Sequence, residues 1–143
     1  MGRIYFNARR ETHTVDGAYT VKNSDSGKVF MLSSTSGACE ITLPTLSGTV
    51  ADDSLAVAGL YYKFIVLEDT PANAITIGAG GTVIDIVGVD IAQNDGPSSA
   101  GTAKSNLIIG TACKQGDYID MFHDGTTWYA ESMSSTAGSI TTS

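Results

Sequence analysis

Side chains that could bind a metal ion are concentrated in one short stretch, residues 117–124. Asp117, Asp120, His123 and Asp124 carry the oxygen and nitrogen atoms that divalent cations use as ligands in proteins. Successive side chains of a strand point to opposite faces, so Asp117 and His123 would share one face while Asp120 points to the other. These side chains cannot converge on one ion without a bulge. The pattern therefore favours a solvated strand end over a metal site.

Three other stretches contain residue types used in binding or catalysis, and each lacks a necessary partner. Asp90, Asn94 and Asp95 offer oxygen ligands for Ca²⁺, but the glutamate that closes an EF-hand loop is missing. The glycine-rich run 78–82 lacks the lysine and the helix of a phosphate-binding loop. Cys39 would need a nearby histidine with an orienting acid to act as a nucleophile. We therefore predict that the protein is not an enzyme and uses no cofactor.

Aromatic side chains could instead form a platform for stacking sugars. The candidates are the tryptophan and four of the tyrosines: Tyr61, Tyr62, Tyr118, Trp128 and Tyr129. Aromatic residues on strands more often belong to the core or to a subunit interface. Sugar binding is therefore kept as an alternative interpretation.

A hairpin is predicted over residues 116–131, and it would position several of these side chains. Asp124-Gly125 lies between two β-prone runs, and such a pair suits a two-residue type I′ turn because both central residues need positive φ. With this loop, residue 121 lies opposite 128 and residue 119 opposite 130. The apolar core face is then formed by Ile119, Met121, Trp128 and Ala130. The other face is more polar, and it carries Tyr118, Asp120, Thr127, Tyr129 and Glu131, with Phe122 as an apolar exception.

The composition of the chain predicts one all-β domain. The sequence has 143 residues, 16 of them glycine and 3 proline, and it shows no sustained apolar period near 3.6. Roughly nine or ten short strands separated by turn signals are typical of a β-sandwich or jelly roll. We predict an N-terminal arm at 1–10, a β domain at 11–133 and a Ser/Thr-rich tail at 134–143. Two long polar loops are expected at 45–59 and 93–105.

The charge is distributed unevenly along the chain. The net charge is −7, which argues against nonspecific binding of nucleic acid by the body of the protein. The first ten residues contain three arginines and no acid, whereas the remainder has 5 basic residues against 15 acidic ones, a balance of −10. We predict that this basic arm docks on an acidic partner. Its charged and apolar anchors would be Arg3, Ile4, Tyr5, Phe6, Arg9 and Arg10.

Membrane and redox signals are weak in this sequence. The N-terminus lacks the apolar region of a signal peptide, and no run approaches the ~18 apolar residues of a membrane span. We expect a protein made and assembled in a cytosol, without a membrane partner. Cys39 and Cys113 are each expected in an apolar strand, which predicts two buried free thiols.

Several short segments, taken together and in order, resemble a known class of proteins. They are 27–32 (GKVFML), 41–44 (ITLP), 59–64 (GLYYKF), 75–77 (ITI), 116–118 (GDY) and 124–129 (DGTTWY). Over residues 27–131 the chain resembles the small β-rich virion proteins of tailed bacteriophages, which include capsid decoration (cement) proteins, head fibres and tail-associated modules. The resemblance implies no catalytic residues.

This resemblance also implies where the protein would act. A decoration protein of this kind would stand as a homotrimer on the capsid exterior, bind the major capsid protein and clamp neighbouring subunits. We therefore expect a structural virion protein, assembled in the host cytoplasm. The alternative is a head- or tail-fibre module that binds host surface glycans through the loops 45–59 and 93–105.

Overall fold

In the described part of the chain, the regular secondary structure is almost entirely β-strand. A computed structural model describes residues 10–45, 53, 55–78, 86–92 and 104–143, with only the backbone described for 86–92. A short 3-10 helix is formed by Asn23–Asp25. The strands are β1 (Thr12–Asp16), β2 (Tyr19–Thr20), β3 (Val29–Ser33), β4 (Cys39–Thr42), β5 (Tyr61–Val66), β6 (Ile75–Gly78), β7 (Ile86–Ala92), β8 (Asn106–Ile109), β9 (Tyr118–His123), β10 (Trp128–Ser134) and β11 (Ile140–Thr142). The predicted all-β class is thereby confirmed.

The strands form two mixed sheets. The six-stranded sheet has the order β1-β3-β5-β9-β10-β7, and the five-stranded sheet has the order β11-β8-β6-β4-β2. Strands β1, β3 and β5 run parallel to one another, as do β2, β4 and β6. Strand β9 is antiparallel to both of its neighbours, and β8 is antiparallel to β6 and β11. The five-stranded sheet therefore changes once from parallel to antiparallel pairing. The six-stranded sheet changes twice, because β10 pairs in parallel with β7 at its far edge.

The parallel pairing follows from the path of the chain. From β1 to β8, successive strands alternate between the two sheets, with odd-numbered strands in the six-stranded sheet. Up to β6, each return to a sheet adds a strand beside the earlier one in the same direction, which produces the parallel order of β1, β3 and β5. Strands β9 and β10 are different, because a short loop joins them within one sheet.

One hydrophobic core receives side chains from both sheets. The rings of Phe30 and Phe64 stack with centroids 5.3 Å apart, and those of Tyr62 and Trp128 lie 5.6 Å apart. Tyr62 is completely buried, and its hydroxyl donates a hydrogen bond of 3.0 Å to the backbone oxygen of Lys22. Burial raises the pKa of Tyr62, so this side chain remains a neutral donor.

The predicted two-residue turn of the β9–β10 hairpin is wrong, although its face assignment is confirmed. Trp128 pairs with His123 and Ala130 with Met121, so residues 124–127 form a four-residue connection. The Asp124 carboxylate accepts hydrogen bonds from the N–H groups of residues 126 and 127, each at 2.8 Å, and thereby holds the longer loop. The register differs from the prediction by two residues, and an even shift leaves every side chain on its face.

Both cysteines are free and buried, as predicted. Cys39 begins β4, whereas Cys113 lies outside the strands, in the connection between β8 and β9. Its Sγ lies 3.2 Å from the Ser139 hydroxyl oxygen. Burial raises the pKa of both thiols, which disfavours the reactive thiolate.

The predicted tail includes β11, which pairs with β8 and buries Ile140.

The two faces of the six-stranded sheet give the first testable prediction. Replacing the fully buried Phe64 by alanine should lower the free energy of unfolding by about 3–5 kcal/mol, because it leaves a cavity in the core. The matched control is Phe122→Ala, whose ring is 46% exposed on the opposite face, and it should cost less than about 1 kcal/mol. Urea unfolding measures both changes, and equal losses would contradict the assignment of the faces.

Candidate functional site

The face of the six-stranded sheet that points away from the core carries unusually apolar side chains. We call it the outer face, and we define it by three rows across β5, β9 and β10. In each row the residues are directly paired neighbours: Tyr61–Phe122–Tyr129, Lys63–Asp120–Glu131 and Ile65–Tyr118–Met133. The first row is aromatic, the second is charged, and the third is mainly apolar.

The outer face exists because of the alternation in the three strands. Tyr62, Phe64 and Val66 of β5 are buried, so the residues between them point outward. Phe122, Tyr129 and Met133 retain 46%, 45% and 41% of their surface exposed, and these are among the largest exposed apolar side chains in the described part of the chain. A cluster of this kind is typical of a surface that contacts another molecule.

The charged row is largely neutralised within the face. The Lys63 ammonium lies 2.9 Å from an Asp120 carboxylate oxygen and 3.8 Å from the Tyr118 ring centroid. The Tyr61 hydroxyl donates a hydrogen bond of 2.6 Å to the other oxygen of Asp120. Burial, followed by this hydrogen bond, raises the pKa of Tyr61. Among the side chains described here, none pairs with the exposed carboxylate of Glu131, the next residue in the row.

A shallow depression of about 330 Å³ lies on the outer face. It is lined by Tyr61, Asp120, Met121, Phe122, Tyr129, Ala130 and Glu131. The Tyr129 hydroxyl donates a hydrogen bond of 3.1 Å to Asp124, and this bond connects one wall of the depression to the hairpin loop. The same hydrogen bond raises the pKa of Tyr129. At the opposite side, the Arg10 guanidinium lies 5.4 Å from the centroid of the Tyr61 ring. This distance is suitable for a cation–π contact.

The sequence-predicted docking residues are only partly covered by the structure. Arg10 is exposed and contacts Tyr61 at the edge of the outer face. The other members of the set lie outside the described residues: Arg3, Ile4, Tyr5, Phe6 and Arg9. Docking by the arm therefore stays a prediction.

The aromatic residues considered for sugar binding do not form one platform. Tyr62 and Trp128 are completely buried in the core and cannot meet a ligand. Tyr61, Tyr118 and Tyr129 lie on the outer face, where Phe122 joins them. The loop 93–105 lies outside the described residues except for positions 104 and 105, and the loop 45–59 is described only at residues 45, 53 and 55–59.

The other candidate ligands and nucleophiles lie apart. Asp120 lies on the outer face and Asp117 and His123 on the other side, as the alternation predicted. The predicted solvated strand end is wrong for Asp117 and His123, because both are buried. The Asp117 carboxylate accepts hydrogen bonds from the backbone N–H groups of Lys114 and Ser135 at 2.8 and 2.9 Å, so it stabilises a turn. Cys39 is completely buried at the start of β4.

Two runs of candidate ligand residues lie mostly outside the described residues. Asp90 lies in β7, where its backbone pairs with Ser132, whereas Asn94 and Asp95 lie outside the described residues. Gly78 ends β6, and the rest of the run 78–82 is also outside. Within the ranges that the structure does describe, no three metal-binding side chains come together, and no helix is long and apolar enough to cross a membrane.

Sequence reasoning did not identify the outer face as a site. One signal was present, since Phe122 interrupts an otherwise polar face of the hairpin. The contribution of β5 could not be seen, because the partners of that strand are far away in sequence. Comparisons with protein-family models, with curated proteins and with solved structures found no match.

The ion pair on the outer face gives the second testable prediction. Both side chains are about a quarter exposed, with values of 23% for Lys63 and 27% for Asp120, so the pair should contribute little. A double-mutant cycle of Lys63→Ala and Asp120→Ala should give a coupling free energy of about 0.5–1 kcal/mol in urea unfolding. A coupling of several kcal/mol would contradict this and would indicate a pair shielded from water.

Proposed function

We propose that the protein is a structural virion protein, specifically a capsid decoration protein that binds the major capsid protein on the outside of a phage capsid. It would act as a homotrimer, assembled in the host cytoplasm, that stabilises the shell by bridging neighbouring subunits. The observation that carries the proposal is the outer face, where Phe122, Tyr129 and Met133 are 41–46% exposed. Soluble monomers rarely keep such clusters uncovered, which supports a function of covering another protein's surface.

Further support comes from the position of Arg10, the last residue of the predicted arm. Arg10 contacts Tyr61, so the basic arm enters the described structure beside the outer face. The arm and the outer face can therefore contact one partner at the same time. Two linked contacts increase the overall affinity because the second forms at a high effective concentration. A trimer would multiply this gain, and it would place the contacts on adjacent capsid subunits.

The fold proposed for this function is a β-sandwich, in which the two sheets pack face to face. Side chains of both sheets belong to one core, which supports this arrangement. A jelly roll is built from antiparallel strands, whereas β1, β3 and β5 are parallel. The sandwich is therefore favoured over the jelly roll. It would present the outer face as a broad surface, which suits contact with a shell.

Deletion of residues 1–10 tests the role of the arm. The deletion should abolish binding to empty capsids, because it removes three arginines and the apolar anchors between them. The fold should remain intact, since the first strand begins at Thr12. Pull-down on capsids measures binding, and circular dichroism checks the fold. Replacing Arg3, Arg9 and Arg10 by glutamine in the full chain removes the charges but keeps the length of the arm, so it shows how much of the binding depends on charge. Unchanged occupancy after the deletion would refute this part of the proposal.

Substitution on the outer face tests the second contact. The double variant Phe122→Ser, Met133→Ser should weaken capsid binding at least about tenfold, because two exposed apolar side chains no longer leave water on binding. Val57→Ser is the matched control, since Val57 is 45% exposed but lies outside the three rows. Light scattering of the same variants measures the oligomeric state. Equal binding by the double variant and the control would exclude the outer face as the contact.

A fibre module that binds host glycans is the second candidate function. The depression favours it, because aromatic rings at Tyr61, Phe122 and Tyr129 stand beside the carboxylates of Asp120 and Glu131. Sugars commonly stack on aromatic rings and donate hydroxyl hydrogen bonds to carboxylates. Glycan-array binding that is lost in Phe122→Ala, without any capsid binding, would select this function over decoration.

A further inference from the structure

Two cations of this chain already lie over aromatic rings of the outer face. The Arg10 guanidinium is 5.4 Å from the ring centroid of Tyr61, and the Lys63 ammonium is 3.8 Å from that of Tyr118. Both distances are within the range in which a cation is attracted to the electron-rich face of a ring. Both rings belong to the directly paired strands β5 and β9. Contact between a cation and a ring is therefore a recurring feature of this face.

The β10 side of the outer face has an exposed ring with no cation over it from the described residues. Tyr129 is 45% exposed, and Glu131 follows it two positions later on the same face of β10. Glu131 is exposed as well, and it belongs to none of the ion pairs between described side chains. The undescribed stretches after residue 45 contain no lysine, arginine or histidine. A ring and a carboxylate are therefore exposed together on this strand.

Negative charge lies on both sides of the Tyr129 ring. The Tyr129 hydroxyl donates a hydrogen bond of 3.1 Å to the Asp124 carboxylate. Hydrogen bonds from the backbone N–H groups of Thr126 and Thr127 lower the pKa of Asp124, so this carboxylate stays ionised at neutral pH. On the other side, Glu131 is about 6.6 Å further along the strand. Two carboxylates beside one exposed ring favour a cationic ligand over a neutral or anionic one.

We propose that Tyr129 and Glu131 form a subsite for an arginine side chain of the partner protein. The guanidinium would stack on the Tyr129 ring and donate two hydrogen bonds to the Glu131 carboxylate. A guanidinium suits this arrangement better than an ammonium, because it is planar, carries its donors in a fixed fork and is more weakly hydrated. The inference rests on the proposed function and deepens it, because it names the chemistry that the major capsid protein would present to the outer face.

The neighbouring residues explain why Glu131 is the anchor. Asp120 is directly paired with Glu131, and its carboxylate already has the Lys63 ammonium at 2.9 Å. Among the described side chains, Glu131 thus supplies the charge of this row that has no counterion. Phe122 is directly paired with Tyr129 and is 46% exposed, so it would contact the aliphatic stem of the arginine.

Titration of the full-length chain with N-acetylarginine amide tests the subsite without a capsid. The backbone amide NMR signals of residues 129–131 should shift saturably at low salt. The dissociation constant should be on the order of 10 mM, because one cation–π contact and one exposed ion pair are both weak. N-acetyllysine amide should bind at least about twofold more weakly, and the neutral isostere N-acetylcitrulline amide should cause no saturable shift there. Equal affinity for the arginine compound and for either of the others would overturn the proposal.

Variants of the chain locate the binding. Glu131→Gln and Tyr129→Ser should each weaken binding of the arginine compound about threefold to fivefold. Glu40→Gln is the matched control, since Glu40 is also an exposed strand glutamate but lies on β4 of the other sheet, and it should leave the affinity unchanged. Equal affinities of Glu131→Gln and Glu40→Gln would overturn the proposal. Binding that appears only after Arg3→Gln and Arg9→Gln would also overturn it, because the occupant would then be the chain's own arm.

Binding to empty capsids then shows whether the partner supplies the arginine. Glu131→Arg should weaken capsid binding at least about tenfold, because two guanidinium groups would face each other, whereas Glu40→Arg should not. If Glu131→Arg had no effect while the double variant Phe122→Ser, Met133→Ser lost binding, the subsite would be refuted and the decoration function would stand. If the unsubstituted protein bound no capsids, the decoration function would be refuted, and a saturable arginine titration would still establish the subsite.

Discussion

The strict alternation of side chains in the strands of the six-stranded sheet is the constraint on which the rest of this structure depends. Tyr62, Phe64 and Trp128 must all lie on one face to reach the shared core, and they are completely buried there. Once they are inside, their neighbours in sequence have to point outward. The outer face, with its aromatic row and its charged row, is therefore a direct consequence of core packing. Core packing requires only that these residues point outward. Their types can therefore be suited to binding another molecule.

The path of the chain gives this sheet its particular neighbours. Strands β1, β3 and β5 come together because the chain crosses to the other sheet and returns each time in the same direction. Only the final hairpin stays within one sheet, and it places β9 beside β5. The outer face thus forms where the parallel strands β1, β3 and β5 meet the antiparallel strand β9. Tyr61 and Phe122 are brought into direct register there, although they are far apart in the sequence.

The proposed function uses this juxtaposition for recognition. The acids and histidine of the hairpin are divided between two faces, and the two thiols are buried with raised pKa values. Among the described residues, the exposed groups of the outer face are aromatic rings, a neutralised ion pair and the Glu131 carboxylate, which forms no ion pair with a described side chain. Such a surface is suited to covering, and being covered by, another polypeptide. The position of Arg10 beside Tyr61 connects that surface with the most basic segment of the chain.

The sequence by itself determined the all-β class and the inward or outward direction of each residue in the hairpin. It could do so because alternation is a local property, and for that reason an error of two residues in the turn left Ile119, Met121, Trp128 and Ala130 in the core. Tertiary structure alone decided which strands are neighbours, that Cys113 lies outside the strands, and that β5 completes the outer face. These features depend on contacts between distant segments, whose free energies come from mutual burial. A local pattern of residue types therefore cannot specify them.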